Sequence, residues 1–129
     1  VRLFKCNHSN IRIMDRKNCN LQEVLKESKL LITDYSSIAF DCAYMRKPLI
    51  YYQFDQEKYY QGHFEKGYFD CERDGFGPVV KNENKLVKLI SDILLERYDS
   101  NSFRERAIRF FPLYDINNCK RNYYEIKNI

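Results

Sequence analysis

No apolar run in this sequence approaches the roughly 20 residues needed to cross a bilayer, and no basic stretch followed by an apolar segment marks a signal peptide. A helical membrane span is not expected. Cysteine occurs five times (Cys6, Cys19, Cys42, Cys71, Cys119), an odd number at wide spacing with no C-x-x-C pair, and only two histidines accompany them. This argues against a disulfide framework or a zinc site and for reduced thiols in a cytoplasmic protein. Neither sign of charge forms a block: 22 Lys and Arg are scattered among 18 Asp and Glu, for a net charge of +4. Such a field helps attract anions or an anionic membrane surface but does not by itself indicate nucleic acid. Internal repeats, low-complexity segments, a glycine-rich dinucleotide fingerprint and a Walker lysine are also missing.

What is present suits one folded unit. The 129 residues, 44% hydrophobic and 31% charged, can bury a single core, so residues 1–129 are expected to form one domain. The chain opens on Val1-Arg2-Leu3-Phe4 without an initiator Met and reads as a fragment of a longer protein. Ile11, Ile13 and Met14 predict a short strand before a polar loop at Asp15 to Asn20. Leu21, Val24 and Leu25 recur at helical spacing behind Asn20 as N-cap, predicting a helix to about Ser28. Leu30-Leu31-Ile32 reads as a strand buried on both faces. Ile38, Phe40, Ala43 and Tyr44 give a second helix whose end falls near Arg46-Lys47, before Pro48. Leu49-Ile50-Tyr51-Tyr52 has strand character. Alternating strands and helices with short connections predict a parallel α/β architecture, a Rossmann-like sheet flanked by helices.

Gln53 to Pro78 holds all four glycines, many aromatics and charges, and no sustained period; it reads as a long functional loop or irregular excursion. Val79-Val80 suggests one more short strand. Leu86, Leu89, Ile90, Ile93 and Leu94 form the clearest amphipathic helix, with Asn82 or Asn84 as cap. Further helices are predicted over Ser102 to Phe110 and Asn117 to Ile126, either side of Pro112.

In a parallel α/β sheet, ligands bind beyond the carboxyl ends of the strands. Thr33-Asp34-Tyr35-Ser36-Ser37 occupies that position. The first turn of the following helix offers unpaired N–H groups and a positive dipole end, so a phosphate can be held there without a metal. Ser36 and Ser37 add hydroxyls. An inward Asp34 would repel the anion, so it is expected to orient the turn or meet a hydroxyl. Ser, Thr and Asp are equally ordinary N-cap residues, and spacing alone leaves both readings open.

The run Leu30-Leu31-Ile32-Thr33-Asp34-Tyr35-Ser36-Ser37-Ile38-Ala39-Phe40-Asp41, followed by Lys47-Pro48-Leu49-Ile50-Tyr51-Tyr52-Gln53-Phe54-Asp55, resembles the CDP-glycerol glycerophosphotransferase family of teichoic-acid and capsule polymerases. The resemblance continues through Gly67-Tyr68-Phe69-Asp70 and Gly75-Phe76-Gly77-Pro78, and covers most of the chain from about residue 20. It implies a GT-B-type fold with two Rossmann-like lobes, this chain being most of the C-terminal, donor-binding lobe and the N-terminal lobe lying elsewhere in the protein. It further implies a CDP-glycerol or similar CDP-polyol donor, a polymer or lipid-linked acceptor, and no metal or other cofactor. Thr33, Asp34, Ser36, Ser37 and the helix N-terminus would then form the donor pyrophosphate site. Asp41 would support the turn or reach a donor hydroxyl, and Gly77 and Pro78 would lie near the nucleotide.

The family's expected histidine base lies in a His-Pro motif or upstream, but His8 is followed by Ser9 and departs from it. His63 in the long loop could contact phosphate or be a solvated loop residue, and Asp55 and Asp70 read equally as cleft or turn residues. The eleven tyrosines and nine phenylalanines could stack nucleic-acid bases, but the basic groove that should accompany stacking is not evident in the sequence, so no nucleic-acid partner is expected. Arg104-Glu105-Arg106, Arg109 and Lys120-Arg121 read as solvated helix faces or as contacts to anionic lipid, which would place the protein peripherally at the inner face of the cell membrane. Two alternatives stay open: a nucleotide- or phosphate-binding module without turnover, and a ribitol-phosphate or sugar-phosphate polymerase.

Overall fold

The computed structural model describes residues 6–15, 17, 19–62 and 67–129. Three strands, β1 (Leu31–Thr33), β2 (Leu49–Tyr52) and β3 (Val79–Val80), form a parallel sheet in the order β1-β2-β3. The register aligns Thr33 with Tyr51 and Tyr51 with Val79. The helices are α1 (Leu21–Glu27), α2 (Ile38–Tyr44), α3 (Gln56–Gly62), α4 (Glu83–Leu94), α5 (Asn101–Phe110) and α6 (Asn118–Lys127). This is the expected α/β class, a parallel sheet flanked by helices.

Alternation along the strands builds two cores. On one face Leu49 and Tyr51 pack with Ala39, Cys42 and Ala43 of α2, Ala107 of α5 and Phe76. On the other, Ile50 and Val80 pack with Leu86 of α4. Leu49, Ile50 and Tyr51 are at most 2% exposed, so β2 is the strand buried on both sides, each side chain contributing about 1.5–3 kcal/mol. β1 differs from expectation here: it is an outer strand of the three, and Ile32 is 42% exposed. Most of the aromatic content goes into packing, with Phe40, Phe69, Phe76 and Phe110 meeting in tilted and edge-on pairs.

The predicted caps at Asn20 and Asn82 are present, their side chains accepting from the N–H groups of Gln22 and Lys85. Two expectations are corrected. Ile11 to Met14 is not a strand: these side chains are exposed and no described strand lies alongside to complete a ladder. The excursion from Gln53 contains α3, which buries no side chain of its own and so has no apolar stripe to announce it; the Asp55 carbonyl accepts its Tyr59 N–H at 3.0 Å.

Lys47 also acts elsewhere than expected. Its ammonium donates to the carbonyls of Lys26 and, at 2.7 Å, Ser28, so it serves the end of α1. α2 ends instead with Arg46 in the left-handed region (φ 57°). The Arg46 and Lys47 N–H groups bond the Ala43 and Cys42 carbonyls, a Schellman closure. α4 ends the same way, with Glu96 at φ 57° and the Glu96 and Arg97 N–H groups on Ile93 and Asp92.

Candidate functional site

Thr33 ends β1 level with Tyr51, and the chain then leaves the sheet at its carboxyl edge. Two groups fix the course of this loop. The Asp34 carbonyl accepts from Gln53 Nε2 at 3.2 Å. Gln53, only 1% exposed, also receives a bond from Gln56 Nε2 at 3.1 Å on its Oε1, while its main-chain N–H extends the sheet to the Val80 carbonyl at 2.9 Å. One buried amide thus ties the ends of all three strands and the start of α3 to the loop. The second group is Tyr35. Its hydroxyl donates to Asp55 Oδ1 at 3.2 Å, and its ring stacks on Tyr59 with centroids 3.6 Å apart and planes 7° from parallel. Desolvation, then the bond to Asp55, holds the Tyr35 phenol well above its ordinary value, so it stays a neutral donor.

The Asp34 carboxylate is turned onto the Tyr35 N–H at 2.7 Å, where it orients the turn. Beyond it, the carbonyls of Ser36 and Ser37 accept the first helical N–H groups of α2, from Ala39 at 3.3 Å and Phe40 at 3.0 Å. Ser36 Oγ makes a long contact with the Ile38 N–H at 3.5 Å, and Ser37, the N-cap, has no side-chain cap bond. Both serines are exposed. Among the described residues, no group accepts from the main-chain N–H of Ser36 or Ser37. Two amides and two hydroxyls therefore stand together at the positive end of a short helix, a set of donors suited to an anion.

Asp41 lies one turn down α2 from Ser37, about 5–6 Å away at the Cβ atoms as i, i+4 neighbours, and borders a groove with Phe110 to Leu113 and Asn118. Gly77 and Pro78 sit elsewhere. They precede β3, and a Cβ on Gly77 would fall 2.0 Å from the carbonyl oxygen of Leu49, the first residue of β2. They belong to the amino edge of the sheet, away from Thr33 to Ser37, and what approaches Gly77 is the chain's own backbone.

His63 lies outside the described residues. His8 Nδ1 accepts the Asn10 N–H at 3.2 Å in an exposed local turn. Asp70 closes a turn, its Oδ1 accepting from Glu72 and Arg73 at 2.9 Å. Arg106 is half-buried rather than solvated and donates to the Gly75 carbonyl at 2.6 Å. Among the described residues no group of three or more His, Cys, Asp or Glu could hold a metal ion. Gln53 and Tyr59, which shape the loop, were not candidates in the sequence; the one local signal was a lone amide directly after the apolar strand Leu49 to Tyr52.

A family model described as CDP-Glycerol:Poly(glycerophosphate) glycerophosphotransferase matches residues 3–128. The minor teichoic acid biosynthesis protein GgaB of Bacillus subtilis (strain 168) is 42% identical over 110 residues, covering 84% of this chain and 12% of that protein. The teichoic acid poly(glycerol phosphate) polymerase of the same strain is 33% identical over 96 residues, covering 74% and 12%. Among solved structures, that of the wall teichoic acid polymerase TagF is similar with a TM-score of 0.59 at 26% identity, covering 79% of this chain and 24% of that one. The chain thus spans about an eighth of the length of these two relatives. The structural likeness accords with the GT-B-type fold that the sequence resemblance implied.

Proposed function

The chain belongs to the CDP-glycerol:poly(glycerophosphate) glycerophosphotransferase family, and from that premise we propose that it is the donor-binding, Rossmann-like domain of a two-lobed enzyme that transfers glycerol phosphate from CDP-glycerol to a hydroxyl of a teichoic-acid-like polymer. The supporting observation is the Thr33 to Ser37 loop, braced by Gln53 and Tyr35 and presenting the Ser36 and Ser37 N–H groups unpaired at the carboxyl edge of the sheet.

In this reading the donor pyrophosphate rests on those two amides, with the serine hydroxyls beside them. The acceptor oxygen attacks the phosphorus that carries glycerol, and its proton passes to a base contributed by the rest of the enzyme. The bond from that phosphorus to the bridging oxygen breaks, and CMP departs with the electron pair. Fixed N–H dipoles lower the barrier by stabilising charge that shifts onto the departing phosphate. Asp34 keeps the turn in place, Asp41 meets a donor hydroxyl, and Gly77 and Pro78 act through the placement of β3. No described helix is long and apolar enough to cross a membrane, and we place the enzyme peripherally at the cytoplasmic face, where a lipid-linked acceptor is presented.

Titration calorimetry of the full-length protein with CDP-glycerol, CDP-ribitol and a UDP-sugar tests this. CDP-glycerol is expected to bind most tightly. Preference for CDP-ribitol would move the assignment to ribitol-phosphate transfer, binding without turnover would favour a non-catalytic module, and no binding to any of the three would refute the donor-site reading.

A further inference from the structure

The amino edge of the sheet carries a second concavity, a groove of about 620 Å³ between the ends of α1, α2 and α4 and the start of α5. Four cations line it, Lys29, Arg46, Lys47 and Arg104, against one carboxylate, Glu96. Lys47 is occupied by the carbonyls at the end of α1. Lys29 and Arg104 are exposed and form no ion pair among the described residues, and Arg46 lies over the Tyr114 ring at 4.0 Å. The cations come from positions far apart in the chain, so no basic block marks the groove in the sequence. Both left-handed non-glycine residues among those described, Arg46 and Glu96, line it. At these helix ends glycine would be the less strained choice, and the chain instead places charge there.

We propose that this groove binds the phosphodiester backbone of the polymer the enzyme extends, a substrate subsite apart from the donor site. The inference rests on the family reaction proposed above, whose product carries one negative charge per repeat. Charge complementarity identifies the occupant, and concavity distinguishes it from a lipid surface, which a protruding amphipathic face would suit better. The distance is compatible: α2 leads from the Ser36 and Ser37 loop to Arg46, and seven residues of helix rise roughly 10 Å, so a polymer a few repeats long reaches from one site to the other. The groove therefore retains a growing chain between additions and raises product length.

The test uses full-length enzyme carrying Lys29→Glu with Arg104→Glu and, separately, Arg46→Gly, which suits the left-handed backbone and removes one charge. The probes are a short glycerol phosphate oligomer and a long poly(glycerol phosphate). Affinity for the long polymer should fall about fivefold for Arg46→Gly and further for the charge-reversing pair, and the loss should shrink in high salt. Products should shorten, while the initial rate on the short oligomer and CDP-glycerol affinity stay at wild-type values. Unchanged product length and polymer affinity in both variants would overturn the proposal. So would variants that lose only binding to anionic phosphatidylglycerol vesicles, or a wild-type groove that prefers single-stranded nucleic acid to poly(glycerol phosphate). Failure of wild-type enzyme to bind CDP-glycerol would instead strike the donor assignment and leave the polymer measurement standing.

Discussion

The side-chain amide of Gln53, 1% exposed, donates to the main-chain carbonyl of Asp34 at 3.2 Å across 19 residues of sequence. The bond joins the end of β2 to the loop after β1, so the shape of the candidate anion site depends on a buried side chain outside that loop. Gln53→Leu keeps the volume and removes both bonds, leaving the Asp34 carbonyl and the Gln56 amide without this partner. Stability should fall by about 1–2 kcal/mol, toward the low side because Asp34 is partly solvated. Donor affinity should fall with it in the full-length enzyme. Thermal unfolding and CDP-glycerol titration on the same preparation check both, and unchanged donor affinity would detach Gln53 from the site.

Variants of Ser36 and Ser37 separate the proposed anion contact from folding. Neither hydroxyl makes a strong cap: Ser36 Oγ reaches the Ile38 N–H at 3.5 Å and Ser37 has no cap bond. The Ser36→Ala, Ser37→Ala double variant should therefore lose at most about 1 kcal/mol of stability. The main-chain amides survive the change, so kcat/KM should drop by about 10- to 100-fold rather than vanish. Steady-state kinetics of the full-length variant decide the matter, and wild-type kcat/KM would remove the hydroxyls from the mechanism.

These two cases show which parts of the fold were legible in the sequence. α4 was clear because Leu86, Leu89, Ile90 and Ile93 form one stripe behind an asparagine cap, and β2 because an uninterrupted apolar run has few other uses. The placement of Thr33 to Ser37 between a strand and a helix was legible because it is a local property. α3 was hidden because none of its side chains is fully buried and it is held by stacking of Tyr59 on Tyr35, a contact between distant parts of the chain. Gln53 was hidden for the same reason. For Gly77 the family resemblance implied a place near the nucleotide, and only the fold shows that the backbone of Leu49 is the group lying against it.

A Cβ at position 77 would lie 2.0 Å from the Leu49 carbonyl oxygen and 2.8 Å from its carbon, atoms of the central strand that cannot swing aside. Gly77→Ala should separate β3 from β2 and cost about 1–3 kcal/mol or more. Folded yield and the unfolding midpoint should fall together. If Gly77 instead touched nucleotide, the variant would keep its midpoint and lose only donor affinity, and the paired measurements distinguish the two.

Glu96 offers the opposite change. Its φ of 57° closes α4 in a conformation that costs an L-residue about 1–2 kcal/mol and glycine almost nothing. No salt bridge among the described residues holds its carboxylate. Glu96→Gly should raise stability by about 1 kcal/mol and the melting midpoint by about 3–5 °C. Differential scanning calorimetry would show it, and a lowered midpoint would mean that Glu96 makes a contact worth more than its strain.

Alkaline pH should weaken the fold through two groups packed under α2 and within β2. Burial pushes the Cys42 thiol from 9.0 up to about 11 against the pull of Lys47. Burial likewise pushes the Tyr51 phenol from 10.0 up to about 12, opposed by the bond from the Phe76 N–H. Both are neutral when protonated, so the folded state retains protons that the unfolded chain releases at the ordinary values. Stability is fully present below about pH 9, then declines as pH rises toward 11 for Cys42 and toward 12 for Tyr51. The limiting slope is about 1.4 kcal/mol per pH unit for each group. Cys42→Ala should flatten the first part of that decline, between pH 9 and 10, where Tyr51 contributes little. Urea unfolding midpoints measured across this range for wild type and variant provide the check. Parallel curves would show that the alkaline loss arises elsewhere than at the Cys42 thiol.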